Sequence, residues 1–182
     1  MSSHQPVVTD QILELIESRS DEQRGNRKMS DEVVQALKDC GFYTMMLPKK
    51  WGGQEQRPQE FFREQIRIAE ADMSTAWASG IIAVHAFQIA LMSEEAQREV
   101  YESDPNTLVS SSYNPVGAKA ASCDGGFMLS GRWGWSSGSE HCSWALLGGV
   151  IPGDGYRTFL VPRDQYVIED TWNVMGLQGT GS

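Results

Sequence analysis

Cysteine and histidine are scarce in this chain of 182 residues, which contains three of each. Cys40, Cys123 and Cys142 are odd in number and far apart, and they have neither CxxC nor metal-ligand spacing. This pattern argues against a disulfide framework and against a zinc site. We therefore expect reduced thiols, a cytoplasmic location and no bound metal.

The chain also lacks an excess of positive charge. It has 15 Lys and Arg against 24 Asp and Glu, a formal net charge of −9. Such a surface repels phosphate backbones and anionic lipids, so we expect neither nucleic acid nor a membrane as a partner. The first residues show no signal-peptide pattern. The most apolar run, residues 76–92, is interrupted by Ser79, His85 and Gln88 and predicts a buried helix rather than a membrane span.

The first hundred residues have the pattern of helices. Asp10, Ser30 and Ser93 each precede a helical pattern and are predicted to cap it. Pro58 suits the first turn of a further helix, and Gly41 suits the end of the one that Ser30 opens. The sequence therefore predicts an all-helical domain over residues 1–104.

After residue 104 the pattern changes to short apolar runs separated by turn signals such as Asp-Gly-Gly and Pro-Gly-Asp-Gly. This spacing predicts an antiparallel sheet or small barrel over residues 105–182. The predicted strands are TLVSSSY, GFMLSGRW, WALLGGVI, YRTFLVP and QYVIED. The fold class is thus α+β. Because the chain stops at a turn where a further strand is expected, we expect it to be a fragment of a longer protein.

Aromatic and hydroxyl side chains are concentrated in residues 130–144, SGRWGWSSGSEHCSW, which contain three of the six tryptophans. Tryptophan offers a flat apolar wall, and serine offers a small donor and acceptor, so this stretch can hold a planar ring rich in heteroatoms. The row SSSY at residues 110–113 adds similar groups. Two plainer interpretations stay open: tryptophans in a sheet pack in cores, and serines at strand ends cap turns.

His85 lies in the middle of the predicted apolar helix. It is either a buried, hydrogen-bonded structural residue or a proton-active side chain whose pKa is tuned by burial. His4 lies near the N-terminus, and we expect a structural role for His141. The stretch GLQGTGS lacks the lysine of a phosphate-binding loop and is interpreted as a glycine-rich turn.

Five stretches in order resemble the oxygenase components of two-component flavin-dependent monooxygenases, which have an acyl-CoA dehydrogenase fold and hydroxylate phenols. The stretches are GFYTMMLPKKWGG, STAWASGIIAVHAFQIAL, SSSYNPVGA, LSGRWGWSSGSEHCSWALLGG and NVMGLQGTGS. The resemblance implies an N-terminal helical domain, an antiparallel β-barrel domain and a C-terminal four-helix bundle. In the family that bundle builds a homotetramer and completes the active site, and the resemblance implies that it lies outside the present chain.

The resemblance also implies a cofactor, reduced FMN or FAD, delivered by a separate NAD(P)H:flavin reductase. O2 and a small aromatic substrate are the other reactants, and C4a-hydroperoxyflavin is the hydroxylating species. Ser136 corresponds to a serine that hydrogen-bonds near the flavin N5, with Ser137 as the alternative, and Trp135 corresponds to a wall of the ring site. The full set of implied cofactor-binding residues is Ser110, Ser112, Tyr113, Trp135, Ser136, Ser137 and Gly138.

The implied catalytic residues are His85, Ser111 and Ser136. His85 and Ser111 fall where the family contacts the phenolic oxygen, and they are expected to favour the phenolate and so activate the ring carbon. Gln178 departs from the family pattern, because an arginine is expected there, and this weakens any charged contact at that position.

Two other functions stay open. An acyl-CoA dehydrogenase with bound FAD shares the fold, but SSSYNPVGAKA and WGWSSG stand where that class usually has TEP..GSD-like and Trp-Ile-Thr-like runs. The other alternative is a non-catalytic fragment that acts only by self-association through exposed apolar faces.

Overall fold

A computed structural model describes residues 6–181 of the chain, so His4 and Ser182 lie outside the described residues. Five helices occupy the first part of the sequence. They are α1 Asp10–Asn26, α2 Asp31–Asp39, α3 Pro58–Ala71, α4 Met73–Ile89 and α5 Glu94–Tyr101. None of these described helices is long and apolar enough to cross a membrane.

The local sequence signals explain most helix ends. The side chains of Ser30 and Ser93 accept hydrogen bonds from the first turns of α2 and α5, and Pro58 is the first residue of α3, as predicted. Gly41 follows the end of α2 in a left-handed conformation, also as predicted. The prediction for Asp10 is wrong: Thr9 holds the cap position, and Asp10 is the first helical residue.

Helix α4 lies at the centre of the molecule. Ten of its 17 residues are buried, because its apolar side chains surround almost the whole helix. The core on one side of it is formed with the other helices, and its largest members are Ile16, Leu37, Phe42, Phe61 and Ile68. A second cluster joins Ala86 and Ile89 of α4 to Val109 and Leu146 of the strands. Helix α4 therefore connects the helical and strand parts.

Five strands follow the helices. They are β1 Val109–Ser112, β2 Lys119–Cys123, β3 Gly126–Ser130, β4 Trp144–Ile151 and β5 Gly155–Pro162. β1, β4 and β5 form one sheet in that order, with β1 parallel to β4 and β4 antiparallel to β5. β2 and β3 form a separate antiparallel hairpin. The α+β fold class is thus confirmed.

The strand part differs from the sequence prediction in four ways. The sheet is not wholly antiparallel, because β1 pairs in parallel with β4. No closed barrel is present in residues 6–181, because five strands divided between two sheets are too few to close. QYVIED is not a strand: Gln165 ends the 3-10 turn Arg163–Gln165, and the residues after it pair with no strand. β2 was not predicted, because KAASC is short and has no apolar run. The division near residue 104 stays a prediction.

Gln23 is a buried polar residue that joins three helical segments. Its amide nitrogen donates to the Thr75 hydroxyl of α4 at 2.9 Å, and its amide oxygen accepts from the Ser30 backbone at the start of α2 at 2.9 Å. A buried polar group left without its partner costs stability, so this network favours one arrangement of α1, α2 and α4.

We predict that Gln23→Leu lowers the free energy of unfolding by about 2 kcal/mol, because the Ser30 N–H loses its acceptor and Thr75 loses a donor. The matched control is Gln35→Leu, which removes only an exposed bond to Asp39 within α2 and should cost well under 1 kcal/mol. Urea denaturation followed by circular dichroism measures both. Equal stability losses in the two variants would contradict this account.

Candidate functional site

Strand β1 distributes the three serines of SSSY between two faces, because side chains alternate along a strand. Ser110 and Ser112 line a cavity, whereas Ser111 does not. Ser111 belongs to the opposite face with Tyr113, whose hydroxyl contacts α4. The residues suggested by the sequence therefore fall into two groups, one on each side of β1.

The first group lines a cavity of about 730 Å³. Its walls combine aromatic rings with small hydroxyls, which is the composition that the sequence predicted for this stretch. The lining residues that matter here are Ser110, Ser112, Trp133, Trp135, Ser136 and Tyr166. A volume of this order is typical of sites for small molecules and cofactors.

Two of the cavity serines use their hydroxyls within the protein. Ser112 donates to the Gly134 carbonyl at 2.6 Å, and Ser110 donates to the Trp144 carbonyl at 3.4 Å. Ser112 thereby ties β1 to the residue before Trp135. Because these protons are already committed, the structural interpretation applies to Ser110 and Ser112, and their predicted contact with a cofactor remains untested.

Trp135 has a backbone conformation that is uncommon for a residue with a side chain. Its φ is +58°, and 74% of its surface is exposed. Such strain, of about 1 to 3 kcal/mol, persists only where the surrounding structure imposes it, and it clusters at functional sites. Ser136 follows, half-buried, and its hydroxyl has no hydrogen-bond partner among residues 6–181. A flat ring and a free hydroxyl thus lie side by side.

The loop that carries Trp135 and Ser136 is anchored to the helical part. The Gly138 N–H donates to the Thr180 carbonyl at 2.8 Å, and the ring of His141 lies 3.1 Å from the Met29 carbonyl. Gly138 has a φ of +71°, and a Cβ there would lie 2.5 Å from Ile82 of α4. His141 therefore has the structural role that the sequence suggested, and Gly138 serves the packing of this loop.

The segment GLQGTGS forms the other side of this anchor. It contains the 3-10 turn Gln178–Thr180, which agrees with the prediction of a turn. The Gln178 side chain donates to the Val174 carbonyl at 2.9 Å. No group of three or more His, Cys, Asp or Glu side chains within the described part of the chain could hold a metal ion.

The second group is built around His85 of α4, which is 1% exposed. Its Nδ1 lies 2.7 Å from the Val109 carbonyl of β1. Because a carbonyl only accepts, Nδ1 carries the proton, and Nε2 presents a lone pair. Nε2 has no hydrogen-bond partner in the part of the chain that the structure describes. The histidine is therefore structural at one nitrogen and available as an acceptor at the other.

Burial lowers the pKa of His85 to about 4, and the hydrogen bond with Val109 offsets this only in part. The imidazole is consequently neutral at pH 7. A neutral imidazole in a dry site can accept a hydrogen bond from an O–H group. The role that the resemblance implied for His85, which is to favour the phenolate, stays a prediction.

Tyr113 and Gln88 complete this second group. The Tyr113 hydroxyl donates to the Gln88 side chain at 2.5 Å, and the Tyr113 ring lies edge-on to His85 with 6.4 Å between ring centroids. Tyr113, predicted to bind the cofactor, thus lies with the expected substrate residues. Gln88 was missed, although its position three residues after His85 places both on one face of α4.

The structure does not bring all the predicted catalytic residues together. Ser136 lines the cavity, whereas His85 and Ser111 do not, and neither Ser137 nor Gly138 is among its lining residues. The two groups share only strand β1. The assignment of catalytic roles to His85, Ser111 and Ser136 stays a prediction.

Residues 6–103 match the family model described as the acyl-CoA dehydrogenase N-terminal domain. The chain belongs to the acyl-CoA dehydrogenase family. This result agrees with the fold that the resemblance implied, and it accounts for the helical part of the molecule.

Similar proteins identify a narrower group. The chain is 44% identical over 180 residues to the flavin-dependent monooxygenase oxygenase subunit HsaA of Mycobacterium tuberculosis. The matched region covers 97% of this chain and 45% of that protein. It is 35% identical over 176 residues to the FADH2-dependent resorcinol hydroxylase oxygenase component of Rhizobium sp., covering 94% of this chain and 43% of that protein. Homologues of this chain are thus oxygenase components of flavin-dependent hydroxylases.

A solved structure supports the same conclusion. The crystal structure of the HsaA monooxygenase from M. tuberculosis matches with a TM-score of 0.91 and 39% identity, over 97% of this chain and 50% of that one. The chain therefore spans about half the length of the relatives it matches.

We predict that Gly138→Ala destabilises the fold by about 3 kcal/mol, because the added Cβ meets Ile82 at a positive φ. Gly153→Ala is the matched control, since its φ of +83° imposes similar backbone strain with no atom near the added Cβ. It should cost about 1 kcal/mol. Thermal and urea denaturation measure the difference, and equal losses would show that the contact with Ile82 is unimportant.

His85 should also make stability depend on pH. Its pKa is about 4 in the folded chain and about 6.5 when unfolded, so the unfolded state binds more protons between these values. Stability is therefore lost as the pH falls from 6.5 towards 4. The amide of His85→Asn can still donate to Val109 but does not titrate. Between pH 7 and pH 5, the free energy of unfolding of this variant should fall by about 2 kcal/mol less than that of wild type. Urea denaturation at the two pH values measures both proteins. An equal loss of stability in wild type and His85→Asn would contradict the burial of a neutral His85.

Proposed function

We propose that this chain carries part of the oxygenase component of a two-component flavin-dependent monooxygenase that hydroxylates a phenolic substrate. The observation that carries the proposal is the pair of Trp135 and Ser136, an exposed ring on a strained backbone beside a free hydroxyl. It occurs in a chain that is 44% identical to a flavin-dependent monooxygenase.

The residues of the cavity fit a flavin by their chemistry. The Trp135 indole offers a flat apolar surface to an isoalloxazine ring, and the hydroxyl of Ser136 can hydrogen-bond a ring nitrogen. Ser137, the alternative from the sequence, does not line the cavity. Ser110 and Ser112 hold this surface in place through their bonds to backbone carbonyls. When bound in its reduced form, the flavin supplies the activation of O2 that aromatic hydroxylation requires.

The flavin is proposed to be reduced FMN or reduced FAD, exchanged with an NAD(P)H:flavin reductase. The resorcinol hydroxylase relative is named as FADH2-dependent, which supports FAD. The working assembly of the whole protein is proposed to be a homotetramer.

His85 and Ser111 are proposed to hold the substrate. The neutral Nε2 of His85 can accept the hydrogen bond of a phenol, and the Ser111 hydroxyl can bond the same oxygen. Both groups are buried, so this polarisation of the phenol O–H bond takes place away from water. The electron-rich ring that results is the one that an electrophilic oxygen attacks.

The test uses the longest polypeptide that the reading frame encodes, loaded without oxygen with reduced FMN or reduced FAD. Oxygenated buffer containing a phenol is then added, and the hydroxylated product is measured per flavin oxidised. We expect coupled hydroxylation in wild type. His85→Asn should lower product formation about 100-fold while flavin oxidation continues. Equal loss of both would contradict the role of His85.

The controls separate flavin binding from chemistry. Ser136→Ala should weaken the binding of reduced flavin and lower product per flavin, whereas Ser143→Ala, an exposed serine before β4, should leave both unchanged. Flavin fluorescence measures binding independently of turnover. A flavin that stays bound, ignores O2 and is reduced by an acyl-CoA would establish the dehydrogenase instead. A chain that associates with itself and binds no flavin would support the non-catalytic alternative.

A further inference from the structure

The hydroxyl of Tyr113 lies beside the polar groups that are proposed to bind the substrate oxygen. It donates to Gln88 at 2.5 Å. Burial raises the pKa of this hydroxyl, and an interaction with the Ser111 side chain opposes the rise. The ring packs edge-on against His85. The side chain of tyrosine is itself a phenol, so the protein already presents a phenol to Ser111 and His85.

The backbone of Tyr113 is held firmly. Its carbonyl accepts a hydrogen bond from the Tyr156 hydroxyl at 3.0 Å. Gly148 of β4 packs directly against this carbonyl, where a Cβ would lie 2.0 Å from the oxygen. The position of the backbone is therefore set by β4 and β5 and cannot adjust to a ligand.

The Tyr113 side chain is held much less firmly than its backbone. It is 37% exposed, and its hydroxyl is tied to α4 through Gln88. Ser111 and His85, by contrast, are buried, and the His85 ring lies beside the Tyr113 ring. A tyrosine can rotate about χ1 towards solvent without moving the strand, at the cost of its hydrogen bonds and ring contact.

We propose that Tyr113 and Gln88 form a hydrogen-bonded lid over Ser111 and His85, and that a phenolic substrate displaces the Tyr113 hydroxyl from Ser111. The proposal rests on the proposed function for its substrate class. It makes Gln88 a specificity-determining residue, because its amide holds the lid closed.

The lid favours ligands that replace the hydrogen bond lost when the Tyr113 hydroxyl is displaced. Every ligand that reaches Ser111 must break the contacts of the Tyr113 hydroxyl. The apparent affinity is therefore the intrinsic affinity multiplied by the fraction of molecules in which the lid is open. A phenol replaces the lost bond with its own O–H. An aryl methyl ether of similar size has no O–H to donate to His85, so it opens the lid without forming a replacement hydrogen bond.

The test measures the affinity of 4-methylphenol and of 4-methylanisole by calorimetry, on the same polypeptide without flavin. Tyr113→Phe keeps the ring against His85 but removes the competing hydroxyl, so it should bind 4-methylphenol about fivefold more tightly. Gln88→Leu should give a similar gain. The double variant should gain no more than either single variant, because both remove the same bond.

Two further variants locate the effect. Tyr156→Phe is the matched control, since it removes a neighbouring phenol hydroxyl that, within the described structure, bonds the Tyr113 carbonyl and not the Tyr113 side chain. Gly148 still packs against this carbonyl in the variant, so the affinity should be unchanged. Ser111→Ala, added to Tyr113→Phe, should abolish the gain. Circular dichroism and urea denaturation confirm that each variant is folded.

Several results would overturn the lid. These are weaker binding of 4-methylphenol by Tyr113→Phe, an equal gain for 4-methylanisole, a gain that survives Ser111→Ala, or no binding of 4-methylphenol by any variant. The proposed function fails separately. Tighter phenol binding by the variants without coupled flavin oxidation would retain the lid and reject the monooxygenase.

Discussion

The hydrogen bond between His85 of α4 and the Val109 carbonyl of β1 determines how the helical and strand parts of this molecule meet. It joins a buried imidazole to the first residue of a buried strand, where a lost bond is costly. It also decides which nitrogen of His85 carries the proton. The Val109 side chain packs with Ala86 and Ile89 of α4, so alternation places Ser111 on the same face and Ser110 and Ser112 on the cavity face. The two groups of candidate residues follow from this packing together with the hydrogen bond.

Local sequence signals were sufficient for most of the helical part. Ser30, Ser93 and Pro58 act through bonds or dihedral angles within a few residues, and such effects can be recognised in a sequence. Asp10 was misjudged because Thr9 beside it is also a residue type that caps helices, and the backbone conformation distinguishes the two. The apolar run of residues 76–92 predicted a central helix, because only a buried helix can be apolar on nearly every side.

The strand part was harder to predict, because strand pairing depends on distant residues. Nothing local in VSSS indicates that it pairs in parallel with β4, where the partner of Val109 is Trp144. KAASC forms a strand because the tight turn at residues 124–125 returns the chain onto it. QYVIED has the composition of a strand but no neighbour to pair with in the described structure.

The sequence proposed members for the candidate site, which stay a prediction, but it did not indicate their arrangement. Composition alone indicated rings and hydroxyls for residues 130–144, and the resemblance selected Ser136, Ser111 and His85. The separation of these residues by β1 requires knowledge of strand register, which the sequence does not contain. Gln88 was missed because its role depends on Tyr113, whose side chain reaches α4 from the end of a strand.

The three consecutive serines of β1 have a consequence for how this strand is specified. A slip of one residue would exchange the two faces, yet a serine would still stand at almost every exchanged position. The hydroxyls therefore cannot define the register. The larger side chains at the two ends do so, because Val109 fills the apolar contact with Ile89 and Leu146 and Tyr113 reaches Gln88. The three serines of this strand are therefore interchangeable, and Val109 and Tyr113 at its two ends set its register.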